Sequence, residues 1–303
     1  QLRLRAIPYR IVYETFRENN WELCIVNADG SNPVLLTSTP AVDELYPKVS
    51  PDGRRICFLA QETVAGQKRR NLYLMNLDGT GRTKIADDAR EGCWSADGTR
   101  IAYLKAEFQK FTLTDYASKG LAIYDVASGT RADHPNPDLH HLYNLTWTPD
   151  GRWFVATVHG GMGFSHAILA FEAAGTKVFN LGKWQVGGCR PDLSPDGKRL
   201  AWGASDETLK IGDIDFSGPE PKVTGIRPVA HCGKGTEVYH VEWSPDGNLV
   251  AFSHGLDAGE QLGLRAPGWN ICVGDLAGTW VPVTTDGRDN KEPDWVPLPS
   301  ERK

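Results

Sequence analysis

The feature that most constrains this chain is a short stretch that returns five times: an apolar residue, Ser or Thr, a small residue, then Asp-Gly, with an apolar run soon after. It reads Val49-Ser50-Pro51-Asp52-Gly53, Trp94-Ser95-Ala96-Asp97-Gly98, Trp147-Thr148-Pro149-Asp150-Gly151, Leu193-Ser194-Pro195-Asp196-Gly197 and Trp243-Ser244-Pro245-Asp246-Gly247. Pro fixes φ, Asp caps its own turn and Gly accepts positive φ, so each copy is a tight hairpin turn. The aspartates are spaced by 45, 53, 46 and 50 residues. A period of that length calls for a β-propeller with one blade per repeat.

The ends of the chain complete the count. The runs 10–14, 22–27 and 33–37 read as three strands, so the first repeat lacks the opening strand that precedes each later turn. The missing strand is read at 291–296, where Pro293-Asp294-Trp295 has the opening-strand form without a hairpin after it. Opening strands near 46, 91, 144, 190, 240 and 292 give six four-stranded antiparallel blades in one all-β domain, closed by a C-terminal strand in the N-terminal blade. The expected blades are 10–37 with 291–296, 45–85, 90–131, 143–181, 189–224 and 239–284. Ten Trp, nine Tyr and ten Phe in 40% apolar residues supply bulk to fill the spaces between packed sheets.

Charge and patterning exclude several partner classes. Net charge is −5 and no basic run exceeds Lys68-Arg69-Arg70, so no nucleic-acid footprint is present. No stretch approaches the ~18 apolar residues of a membrane-spanning helix. Six cysteines, Cys24, Cys57, Cys93, Cys189, Cys232 and Cys272, show no C-x-x-C spacing; most are expected as small buried residues rather than disulfides or zinc ligands. A start at Gln1 rather than Met is expected either of a processed exported protein or of a trimmed chain.

Strand alternation gives two channel rings. With Val49, Trp94, Trp147, Leu193, Trp243 and Trp295 packed between blades, the residues before them, Lys48, Cys93, Thr146, Asp192, Glu242 and Asp294, face the channel. Two residues earlier comes a second ring, Tyr46, Glu91, Asn144, Arg190, His240 and Glu292, the expected ligand-binding set. It lies nearer the face opposite the Asp-Gly turns, here called the top. Connections 61–70, 105–119, 159–166, 225–239 and 254–269 are read as long top loops, where binding groups usually sit. His159, His240 and His254 fall toward that rim and are the candidates for holding a divalent metal ion, with His240 and Arg190 the candidate catalytic pair. Trp153, Trp184, Trp202 and Trp269 are candidate sugar-stacking rings. Asn144-Leu145-Thr146 fits a glycosylation sequon but falls in a channel strand.

The repeats, from about Arg10 to Val296, resemble the WD-like repeats of the TolB family of exported bacterial propellers. That resemblance implies a six-bladed propeller and a periplasmic or secreted location. It leaves function open, because such repeats serve in protein-binding modules, peptidase gating domains and polysaccharide lyases. The TolB proteins carry a further N-terminal domain. Only nine residues precede the first strand here, so a TolB-like role in an envelope complex is not carried over from the resemblance. The top-side histidines loosely resemble those of the oligogalacturonate lyases, propellers with a histidine-held metal at the mouth and a His and Arg in catalysis. The reading is a binding module for a protein, peptide or glycan at the top face, with a metal-assisted lyase on an acidic oligosaccharide as the alternative.

Overall fold

The computed structural model describes residues 4–105, 118–257, 259 and 263–298. Its strands form six four-stranded antiparallel sheets. From the axis outward, blade 1 runs Asn290–Val296, Arg10–Arg17, Asn20–Asn27 and Val34–Leu35. Blade 2 is Val42–Val49, Arg55–Val64, Gln67–Asn76 and Thr83–Ala86; blade 3 is Ala89–Trp94, Arg100–Lys105, Leu121–Asp125 and Arg131–Asp133. Blade 4 is Leu142–Trp147, Trp153–Gly161, Phe164–Glu172 and Val178–Asn180. Blade 5 is Cys189–Leu193, Arg199–Ser205, Thr208–Asp215 and Lys222–His231; blade 6 is Thr236–Trp243, Leu249–Leu256, Asn270–Asp275 and Trp280–Pro282. The ring closes as the sequence expects: Arg10 pairs with Val296, Ile11 with Trp295 and Val12 with Asp294.

Inner strands are apolar on both faces because each sheet is covered by a blade on either side. Along Trp153–Gly161, Phe154, Ala156 and Val158 enter the cluster shared with blade 3, while Val155 enters the one shared with blade 5. The same alternation fills every blade boundary, giving six apolar clusters around the ring. No two of the six cysteines form a disulfide; four are buried and Cys93 and Cys189 are partly so.

Each Asp-Gly turn is tied in the same way. The Ser50 hydroxyl donates to Asp52 at 2.6 Å and accepts from the Arg55 N–H at 2.9 Å, while Asp52 accepts from the Arg54 N–H at 3.1 Å. The hydroxyl-to-carboxylate bond recurs at Ser95–Asp97, Thr148–Asp150, Ser194–Asp196 and Ser244–Asp246. Gly53, Gly98, Gly151, Gly197 and Gly247 all sit near φ 70° (68–71°), where a Cβ is strained. The Ser95 hydroxyl, followed by the Thr99 N–H and hydroxyl, pulls the Asp97 carboxyl down to about 2.

Three connections read as top loops are regular structure. Residues 61–70 are strand around a two-residue turn at Ala65 and Gly66, both with positive φ, and 159–166 is the same around Met162 and Gly163. Both hairpins carry exposed residues, many of them polar, on strand positions near their turns, and this made them look like loops. Much of 225–239 belongs to the ten-residue outer strand Lys222–His231 and to Thr236–Trp243. Most of 105–119 and part of 254–269 lie outside the described residues.

Candidate functional site

The opening strands are not regular. Every one carries a register shift against its neighbour, and the residue at the shift has positive φ: Tyr46 55°, Glu91 36°, Asn144 49°, Arg190 55°, His240 59° and Glu292 51°. None is glycine, and such conformations cost about 1–3 kcal/mol each unless the surroundings hold them. The hold is visible. The Tyr46 N–H donates to Glu14 at 2.9 Å, that of Arg190 to Thr157 at 2.8 Å and that of Glu292 to Ser253 at 3.1 Å. Glu14, Thr157 and Ser253 occupy equivalent places on the second strands of blades 1, 4 and 6, two residues beyond the partner of each lower-ring residue. Sequence reading passed over them. The signal was a polar residue inside an otherwise apolar inner strand, as in Ile11-Val12-Tyr13-Glu14.

These six bulges bring the expected upper ring together, but as a plug rather than an open lining. All six side chains are buried. Asn144 donates to the Tyr46 hydroxyl, linking blades 4 and 2 across the axis. Arg190 donates to Asn144 at 3.4 Å and to Glu292 at 3.3 Å. The His240 Nε2 lies 2.8 Å from the same Glu292 oxygen, and its Nδ1 3.0 Å from the Ser253 hydroxyl. Glu91 accepts the Asn144 N–H, and burial pushes its carboxyl up against the opposing pull of Arg90. The Arg190 guanidinium also stands over the rings of Tyr143 and Tyr239, 5.8 and 5.4 Å from their centroids. Bonds between blades that do not touch side by side span the channel. They seal it at this level.

Below the plug, toward the turns, the channel widens into a cavity of about 290 Å³. Its lining includes all six residues of the lower ring, Lys48, Cys93, Thr146, Asp192, Glu242 and Asp294. Trp94, Trp147, Trp243 and Trp295 wall it, and Pro51, Pro195, Pro245 and Pro297 also line it. Two carboxylates are fixed by backbone donors: Asp294 accepts from the N–H groups of Val49 and Trp295, and Asp192 from that of Trp243 at 2.9 Å and from the Thr146 hydroxyl at 3.1 Å. Lys48 and Glu242 form an ion pair across the channel.

Three carboxylates gathered around one ammonium cannot all ionise easily. Burial, with Asp192 adding to it, pushes Asp294 up to about 6 against the pull of Lys48. Burial likewise raises Asp192, and it raises Glu242 together with repulsion from Asp192 and Asp294. Burial alone would discharge Lys48; the three acids outweigh it and keep the amine protonated. The five carboxylates of the two rings are therefore split. Glu91 and Glu292 belong to the plug, and Asp192, Glu242 and Asp294 to the cup below it.

The candidate metal ligands stand apart. His240 is in the plug, His159 faces His166 across a hairpin with ring centroids 5.1 Å apart, and His254 packs on Trp280 at 5.0 Å. His254 and Ser253, the partner of His240, are successive residues and so lie on opposite faces of their strand. Among the described residues no group of three or more His, Cys, Asp or Glu side chains is arranged to hold a metal ion. Of the sugar-stacking candidates, Trp202 and Trp269 are fully buried and Trp153 is buried against Phe179 and Phe216. Asn144 of the sequon is in the plug.

No protein-family model matches the chain. Solved structures do: a putative TolB from Agrobacterium tumefaciens aligns over 96% of this chain and 100% of its own, with TM-score 0.61 and 18% identity. TolB from Acinetobacter baumannii aligns over 95% of this chain and 67% of its own, with TM-score 0.58 and 19% identity. The fold is that of the TolB propellers. An oligogalacturonate lyase solved with manganese aligns on the same TolB-type fold, over 91% of this chain and 74% of its own, with TM-score 0.54 and 16% identity. In sequence, dipeptidyl-peptidase 5 of Porphyromonas gingivalis is 24% identical over 73% of this chain. The match spans 45% of that peptidase, less than half its length. No helix among the described residues is long and apolar enough to cross a membrane.

Proposed function

We propose that this TolB-type propeller is a binding module that holds a protein or peptide partner at the turn end of its channel, with one residue of the partner seated in the cup. The observation that carries this is the blind geometry: a plug of buried, mutually bonded side chains above and an open cavity of about 290 Å³ below. That volume is at the small end for ligand pockets. It suits a single side chain or chain end better than an oligosaccharide, and an acidic sugar would meet Asp192, Glu242 and Asp294. This proposal puts the site at the opposite end of the channel from the top rim that sequence reading favoured, and no observation raises the lyase alternative above it. An exported setting is part of the same proposal, supported by the likeness to TolB propellers.

Peptides selected from a displayed random library on immobilised protein provide the test. Thr146→Phe fills the cup, and its melting temperature is measured alongside. Selected peptides are expected to lose binding to this variant and to keep it on the top-side variant His166→Ala. Retention on Thr146→Phe with loss on His166→Ala would return the site to the top face.

A further inference from the structure

The chemistry of the cup narrows what the partner presents. Resting on the reading of the cup as the binding site, we propose that it recognises a protonated amine on the partner polypeptide, either a free amino terminus or a lysine side chain. Asp192, Glu242 and Asp294 face the cavity, and Lys48 is the one cationic side chain among the described residues that line it, so acids outnumber amines there three to one. Asp192 and Asp294 are already oriented by backbone N–H groups, so an incoming cation meets acceptors that need no rearrangement. Lys48 occupies one oxygen of Glu242 only. The tryptophans of the wall give an alkyl stem an apolar path. An anion would meet three acids. A neutral side chain would leave the excess of acids over Lys48 uncompensated.

A second observation comes from the tryptophans of the wall. In three blades the indole N–H donates to the backbone carbonyl of the channel residue in the preceding blade: Trp94 to Lys48 at 2.9 Å, Trp243 to Asp192 at 3.3 Å and Trp295 to Glu242 at 3.1 Å. Trp147 also lines the cavity and is buried, but its Nε1 has no acceptor among the described residues. A buried donor without a partner is uncommon. Asp192, Glu242 and Asp294 stand on blades 5, 6 and 1, and Trp147 on blade 4. A ligand carrying an ammonium and, close by, a carbonyl oxygen would pair with the acids and, once the Trp147 ring turns its enclosed N–H toward the cavity, with that donor. An amino-terminal residue has that pairing built in, whereas a lysine side chain carries the ammonium alone.

The test uses small probes with the whole chain. Alanyl-alanine amide with a free amino terminus, its N-acetylated form, N-acetyl-lysine methylamide and butyrate are titrated by saturation-transfer NMR. The free-amino dipeptide is expected to bind most tightly, the lysine derivative more weakly, and the acetylated dipeptide and butyrate not at all. Glu242→Gln and Asp192→Asn, made separately so that one suffices if the other folds poorly, are each expected to weaken amine binding at least tenfold. Raising the salt concentration should weaken it in the unmodified protein. Equal binding of the acetylated and free dipeptides, or amine binding unchanged in both variants, overturns the proposal. If amines fail while library peptides still depend on the cup in Thr146→Phe, the cation claim falls and the binding-cup reading stands. If no peptide depends on the cup, both fall.

Discussion

At the turn face one hydroxyl and one carboxylate make the same bond five times, from Ser50 and Asp52 to Ser244 and Asp246. In the channel, one strand inward, the six blades place Tyr, Glu, Asn, Arg, His and Glu at one level and Lys, Cys, Thr, Asp, Glu and Asp at the next. The first pattern is what a fold requires of every blade. The second is a set of single-use residues whose partners lie on other blades, and repetition cannot supply such partners because each has to differ from the residue it meets. In this propeller, sameness between repeats marks stability, and difference marks the parts that seal and shape the channel.

The comparison can be strained most by removing the closing strand. A chain ending at Thr285 loses the pairing of Asn290–Val296 with Arg10–Arg17 and leaves Arg190 and His240 without Glu292. Cooperative thermal unfolding is expected to disappear or to fall far below that of the full chain. A full-length melting curve from the truncated chain would show that the plug and the closure contribute little.

Glu292→Ala asks the same of one residue. Removing the shared partner of two buried groups is expected to cost roughly 3–5 kcal/mol, read by denaturant unfolding. A cost near that of a turn substitution would erase the difference between the two regions.

Acid behaviour should divide the regions by sign. Burial, together with the hydrogen bond that its protonated form donates to Glu22, raises Glu44, buried on the inner strand of blade 2, to about 7, and burial raises Glu14 to about 7. Groups raised in the native state bind protons that the unfolded chain releases, so stability falls as pH rises from about 4.5 to 7. Asp97 is lowered to about 2, so its contribution is present above ~4 and is lost as pH falls toward 2. Glu44→Gln should flatten the slope between pH 5 and 7 by up to ~2 kcal/mol, and Asp97→Asn should alter only the acid limb. The reverse assignment would contradict the burial argument.

The smallest effect is expected at a turn. Asp196→Ala removes the acceptor of the Ser194 hydroxyl and the Lys198 N–H and should cost about 1 kcal/mol, with binding of cup-dependent peptides unchanged. A large loss of that binding with little loss of stability would extend the site from the cup onto the turns themselves.

Much of this was legible because turns repeat. The Asp-Gly spacing gave the blade count, and the absence of an opening strand before Arg10 located its replacement at Asp294 and Trp295. Both channel rings were also found, by counting back from the residue that packs between blades. Whether a ring is open or sealed was not readable. The lower ring stays beside a cavity, while the upper ring closes because bulges at Tyr46, Arg190 and their counterparts turn long side chains onto one another across the axis. A bulge leaves no mark in an alternation pattern, and the partners that hold it, Glu14, Thr157 and Ser253, sit on other strands. The histidines misled for a related reason. His240 and His254 are close in sequence and both near one rim, yet strand alternation sends their side chains to opposite faces.

The central claim is that the channel is open and acidic at the turn end and shut above it. Cys93 lines the cup and is a natural reporter, with Cys189, the other partly buried cysteine, changed to Ser. Burial pushes the Cys93 thiol up to about 12, so modification is slow and the informative quantity is a ratio of rates. A cationic and an anionic methanethiosulfonate reagent of similar size are applied to the folded protein. The account predicts that the cationic reagent reacts at least tenfold faster, and that Glu242→Gln narrows the gap. A Cys93 that reacts with neither reagent, or equally with both, would contradict it.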